Sequence, residues 1–319
     1  MWDFSVTGAL GLMFRTLPFL IFRMLVYFGI AAAYVLLTGT GAGFGWLIGA
    51  AGDADFRAGA TLVGGIIGFG LTAGILYLLR EYILYVVKAG HIAVMIELME
   101  GRDLPMGRAQ ITHASAIVKQ RFAETNVLFL FDQLVRGVLG AILGLVQGIA
   151  SFLPIPGLQQ LMGLIRAFLR LSIGLMDEVI LGYSIRTNST NAWESARKGL
   201  VLYAQNSGAM LRNAAFLLVI TYGLTFVIFL FMLAPAAAIA YAIPGGWSAG
   251  GVIFALIFAW SVKAALVEPF AIACMLQAYF KVSAGQSPDP VWDQRISGVS
   301  SKFEELKAKA GISSWGTRA

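Results

Sequence analysis

From Asn213 to Ala242 the chain runs for thirty residues without an Asp, Glu, Lys or Arg. About twenty apolar residues already let a helix cross the ~30 Å hydrocarbon layer of a bilayer. Backbone groups in lipid must bond to one another, which leaves only helices or a closed barrel. Apolar runs of this length select helices, and the short alternating segments of barrel strands are not seen in the sequence. Composition points the same way: 58% of residues are hydrophobic, 13% are charged and the mean hydropathy is +0.78, values foreign to an ordinary soluble domain. The expected fold class is an all-α polytopic membrane protein. It should have about six transmembrane helices, as three hairpins with interfacial amphipathic helices between them.

A first amphipathic stretch over residues 2–15 leads past Pro18 into an apolar segment expected to end near Leu37. A glycine-rich loop with Trp46, Asp53, Asp55 and Arg57 should follow, then an apolar return from near Ala60 to Arg80. Gly64, Gly68, Gly70 and Gly74 lie on that return, and small residues four apart permit close helix contact. The helix is expected to continue over 82–99 to a break between Gly101 and Pro105, with an amphipathic helix starting near Arg108. The second hairpin goes out over 126–149, turns at Pro154-Ile155-Pro156-Gly157 and returns over 158–185. A polar break then leads to an amphipathic helix opened by Trp193-Glu194. The third hairpin spans 211–242 and 251–280 around Pro244-Gly245-Gly246-Trp247. After Pro288-Asp289-Pro290 a last amphipathic helix is expected to reach about Ala310, with a frayed tail over 311–319.

Of the 23 lysines and arginines only Arg57 falls in an outward loop, so the positive-inside rule puts both termini and the amphipathic helices in the cytoplasm and the chain in the inner membrane. Trp2, Trp193 and Trp292 are the expected anchors at the inner interface. Arg15 and Arg23 are embedded in the first apolar stretch rather than ahead of it, and no small-residue cleavage site follows, so that stretch is expected to be retained. The net charge of +6 is spread along the inner face and points to anionic lipid headgroups before nucleic acid. Cys274 is the single cysteine, which excludes a disulfide or thiolate cluster within one chain.

Glu81, Glu178 and Glu268 each fall roughly twenty residues into an inbound helix, about one bilayer thickness. Trp2-Asp3, Trp193-Glu194 and Trp292-Asp293 are expected to open three of the amphipathic helices. Ser115-Ala116 stands eleven residues before Asn126, as Ser195-Ala196 does before Asn206. These echoes suggest one membrane domain over 1–319 built from parallel repeat units at 1–105, 106–190 and 191–310. Acids in a first helical turn and tryptophans at an interface also have local explanations.

Charge at membrane depth is costly and by default marks function. Glu81, Asp177, Glu178 and Glu268 are therefore the candidate ion- or substrate-binding residues, with Arg80, Arg166, Arg170 and Lys263 as charge partners. If the glutamates face a common centre, they form an acidic collar for a proton, a metal cation or an organic cation. The competing explanation is structural pairing at the inner headgroup boundary, where charge costs only about 0–1 kcal/mol. Asp132 and Arg136 are four apart, and a local ion pair accounts for them. His91 and His113 read as structural. No nucleotide loop, nucleophile constellation, metalloprotease helix or zinc motif occurs, so no catalytic residue, metal or cofactor is expected.

Ser195-Ala196-Arg197 with Leu200, Leu202 and Asn206, and Val267-Glu268-Pro269-Phe270 with Cys274, resemble the choline transporter-like family over roughly the last 130 residues. The resemblance implies transport of a choline- or ethanolamine-like cation, with Glu268 at the family's acidic position. Lys281-Val282-Ser283-Ala284-Gly285 departs from that family's acidic tail. Phe152-Leu153-Pro154-Ile155-Pro156-Gly157 before a helix is similar to the bacterial sulfate permease family, which implies a substrate of opposite sign. The expected function is a permease or channel for a small solute. The alternative is a non-transporting scaffold that binds partners through its amphipathic helices. Self-association through the glycine stripes is a further expectation.

Overall fold

The computed structural model describes the backbone of residues 2–104, 107–122, 125–151, 158–188, 191–242 and 250–316. Among them every regular element is helical. Helix α1 (Val6–Arg15) starts at Ser5, whose Oγ accepts the Gly8 N–H at 3.1 Å, satisfying one of the orphan donors of a first turn. Trp2 and Asp3 precede that helix instead of opening it. Asp3 is held by the start of a much later helix: its N–H donates to Asn213 Oδ1 at 2.7 Å, and Asn213 and Arg212 donate back to its carboxylate at 2.8 Å each.

Helix α2 (Leu17–Gly49) carries Pro18 in its first turn, where the missing N–H has no helical partner to lose. The expected end near Leu37 is wrong by twelve residues. Glycines at 41, 45 and 49 stay helical because α3 (Ala54–Met99) lies against them. A Cβ on Gly41 would come within 2.2 Å of the Gly64 carbonyl oxygen, one on Gly45 within 2.0 Å of that of Ala60, and one on Gly68 within 2.2 Å of that of Leu37. Backbone thus packs directly on backbone, the close approach that only glycine allows in a membrane helix pair. Gly64 and Gly68 meet the expectation, whereas Gly70 and Gly74 face open space. The short loop is closed by Asp53, which accepts the Phe56 N–H at 2.8 Å.

Helices α4 (Arg108–Phe122), α5 (Thr125–Ser151), α6 (Leu158–Arg186), α7 (Ala192–Gln205) and α8 (Ser207–Ala242) follow. Then come α9 (Gly250–Val262), a π-helical turn (Lys263–Val267) and α10 (Glu268–Val282). The expected last helix is two: α11 (Pro290–Val299) and α12 (Ser301–Gly316), the latter extending past the expected start of the tail. The break falls at Ser300, whose Oγ caps the new start by accepting the Phe303 N–H at 3.2 Å.

The chain forms two compact units, each assembled from separate stretches of sequence. The apolar unit takes Phe19–Tyr85 and Ile220–Pro269. Its core is small and tight, with Ala42, Ala236, Ala240 and Ala255 around Phe254. Its outer surface is apolar: Leu25 is 68% exposed, Leu71 62% and Phe231 73%, a surface that water would not tolerate over several helices. Among the described residues four helices are long and apolar enough to cross a membrane: Leu17–Gly49, Ala54–Leu76, Ser207–Ala242 and Gly251–Val282. Helices α5 and α6 cover the stretches of the expected second hairpin and pack on each other, but they lie in the polar unit and are not among these four; the turn between them lies outside the described residues.

The polar unit takes Met1–Pro18, Val86–Val219 and Phe270–Ala319. Here α5 packs along α6, α7, α11 and α12, and its core includes Phe131, Tyr203, Tyr279, Ile296, Phe303 and Leu306, all inaccessible. Gly182 and Gly199 admit neighbouring side chains, with Leu276 over the first and the Tyr183 ring over the second. Tyr279 donates its hydroxyl to the Gly199 carbonyl at 2.9 Å.

Candidate functional site

In the apolar unit the polar chemistry is set by a proline. Glu268 donates its N–H to Lys263 O, the five-residue spacing of a π-turn. In that register the next donor belongs to residue 269, but Pro269 has none. The acceptor left over is the Ala264 carbonyl, and an unpaired carbonyl in lipid costs several kcal/mol. Arg23 Nη2 donates to it at 2.6 Å. Arg23 is 1% exposed and one of the largest fully buried side chains, so the π-turn and the arginine explain each other. Its Nη2 also lies 3.6 Å from Glu268 Oε2, and Lys263 Nζ donates to Glu268 Oε1 at 3.1 Å. The guanidinium rests over Tyr27 at 5.8 Å, Tyr27 meets Trp260 edge-on at 5.4 Å, and Lys263 Nζ stands 5.3 Å over the Tyr222 ring. Beside this group Ile30 and Tyr34 of α2, Phe69 and Ala73 of α3, and Leu256 and Trp260 of α9 line a cleft of about 410 Å³.

A second cluster lies in the polar unit, where α5 and α6 contribute buried carboxylates and α3 a half-buried lysine. Lys88 Nζ donates to Glu178 Oε1 at 2.7 Å. Arg136 Nε is shared between Asp132 Oδ1 at 3.0 Å and Asp177 Oδ2 at 2.7 Å. The local pair expected from the four-residue spacing is therefore half of a bridge between helices. Asp132, Asp177 and Glu178 are all buried, so among the described groups three carboxylates share two cations. Burial first, and the Asp177 charge next, push the Asp132 carboxyl up to about 7. Nearby His91 Nε2 is 2.9 Å from Thr16 Oγ1, and His113 Nε2 is 2.9 Å from Glu97 Oε2. Each is a tie between separate elements, as structural histidines are.

Glu268 and Lys263 thus come together as a pair, while Asp177 and Glu178 sit in the other unit with partners of their own. The side chains of Arg80, Glu81, Arg166 and Arg170 lie outside the described residues. Trp2 stacks on Phe4 and meets Phe216, Trp193 meets Phe131, and Trp292 lies under Arg295. The principal residue missed by the sequence reading is Arg23. Its signal was available: a lone arginine within an apolar span has to find an acceptor, and a proline inside another span leaves one. No protein-family model matches the chain, and neither a curated protein nor a solved structure matches it.

Proposed function

We propose that the protein is a non-transporting assembly platform of the inner membrane. The apolar unit anchors it, and the polar unit presents a cytoplasmic docking surface. The observation that carries this reading is the state of the described acids named from sequence: Asp177 is held by Arg136, Glu178 by Lys88, and Glu268 by both Arg23 and Lys263. Carboxylates committed to cations in this way cement the helices that carry them, which accounts for their place without a bound solute. The docking surface includes Val291 and Val299, half-exposed apolar residues of α11. An even number of spans leaves both termini on one side, and the distribution of Lys and Arg favours the cytoplasm.

A permease for a small amine-like cation is the second reading, favoured by one feature. Lys263 and Glu268 are still 19% and 22% exposed, so an incoming ammonium group can replace the lysine on Glu268 while Arg23 stays pinned by the Ala264 carbonyl. Reconstitution of the purified chain in liposomes, with choline and ethanolamine flux measured, separates the two. The platform reading expects no flux above empty liposomes. It also expects a stoichiometric partner on purification from native membranes that is lost from Val291→Lys/Val299→Lys. Flux abolished by Glu268→Gln would overturn it in favour of the permease.

A further inference from the structure

We infer that the cleft of the apolar unit is a binding site for one anionic membrane lipid, with an acyl chain between α2, α3 and α9 and the headgroup phosphate on Lys263. This site is independent of whether the protein moves a solute. The charged group and the cleft share two helices in a consistent antiparallel register. Along α2 the order is Arg23, Tyr27, Ile30, Tyr34, and along the return it is Ala264, Trp260, Leu256, with Arg23 bonded to Ala264 and Tyr27 against Trp260. Ile30 and Trp260 already belong to the cleft wall. From Arg23 to Ile30 is two helical turns, about 10 Å at 1.5 Å per residue, and Tyr27, under the Arg23 guanidinium and against Trp260 of the cleft wall, links the charged end to the apolar slot. The geometry is that of a headgroup at one level and a chain running deeper.

Charge decides which lipid. Among the described groups two cations face one carboxylate, and Arg23 Nε is buried without a hydrogen-bond partner. Positive charge thus exceeds negative at the mouth of an apolar slot, which suits a phosphate of net negative charge and disfavours a zwitterionic headgroup. Lys263 is the group a headgroup can reach, since it is partly exposed while Arg23 is enclosed. The cleft volume of about 410 Å³ lies within the range of sites for small apolar ligands, roughly 300–1,000 Å³. Its walls are aliphatic and aromatic, with Tyr34 and Phe69 in ring contact at 5.0 Å.

Trp260 supplies the probe. The full chain is reconstituted in phosphatidylcholine vesicles carrying a minor fraction of brominated phosphatidylglycerol or brominated phosphatidylcholine. Quenching of Trp260 is taken as the difference between the native protein and Trp260→Phe. The expected result is a preference of roughly fivefold for the brominated anionic lipid, the scale of one lysine–headgroup interaction. Lys263→Gln should abolish the preference, and Lys263→Arg should keep it. Ala73→Leu, which fills the slot without touching a charge, should reduce quenching by both lipids. Inorganic phosphate and choline should leave the native signal unchanged. Equal quenching by the two lipids in the native protein, or an unaltered preference in Lys263→Gln, overturns the site. So does displacement by phosphate, which would mean a free-anion site, or by choline, which would mean an amine pocket.

Discussion

Arg23 and Pro269 are paired through an atom belonging to neither, the Ala264 carbonyl oxygen. Replacing Arg23 by Leu leaves that oxygen and part of the Glu268 charge without compensation in a buried place, and the expected loss is roughly 3 kcal/mol or more. Pro269→Ala returns a backbone donor to the same region. In that background Arg23→Leu should cost about 1 kcal/mol less, the scale of one hydrogen bond. Unfolding of the four proteins in detergent checks the cycle, and strictly additive losses would refute the shared acceptor. Asp132 gives a prediction of opposite character. Its carboxyl is raised from 3.8 to about 7, so between those values the folded chain holds a proton that the unfolded chain has released. Stability of the polar unit should therefore fall as pH rises from about 4 to about 7 and level off above, because folding becomes linked to proton uptake. Asp132→Asn should flatten that slope, and a slope unchanged in the variant would exclude this group as its source.

At the scale of the helix, the α2–α3 pair depends on glycines that meet backbone. Gly64→Ala puts a methyl group 2.2 Å from the Gly41 carbonyl oxygen, whereas Gly70→Ala enters open space. The first should cost about 1–3 kcal/mol by forcing the helices apart, and the second should be neutral or slightly favourable through helix propensity. Melting in detergent with both variants side by side is the check, and equal effects would mean that the contact is not what holds the pair. The sequence made the existence of these helices plain, since hydrophobic length alone settles it. It misplaced the end of α2 because glycines at 39, 41, 43, 45 and 49 read as a loop in one dimension. Only the facing Gly64 and Gly68, twenty or so residues later across a short turn, turn them into a packing surface. Trp2-Asp3 failed for a related reason. The acid expected to start a helix instead serves Asn213 and Arg212, and no local signal records a partner more than two hundred residues away. Glu268 was legible as a charged position at a notable depth, and Lys263, five residues away, was legible as a charge partner, but Arg23 comes from another span and follows only from tertiary pairing.

For the molecule as a whole, four apolar helices give a simple expectation for sidedness. In a background with Cys274 replaced, since that thiol is buried, cysteines at Asp53 and at Ser301 should label from opposite faces of the membrane. Labelling of both from one face would end the four-span topology. The π-turn at Lys263–Val267 holds one residue more than an α-helical turn and absorbs it within that turn, so the helix beyond keeps the phase a regular helix would give it. Deleting Leu266 should therefore be tolerated: closure to α spacing still pairs the Glu268 N–H with the Lys263 carbonyl and still leaves Pro269 without a donor for the Ala264 carbonyl, which Arg23 keeps. The surplus residue is slack in the span, and unfolding of the deletion variant in detergent within about 1 kcal/mol of the native chain is the expected outcome, whereas a loss as large as that of Arg23→Leu would mean that the wide turn itself is needed.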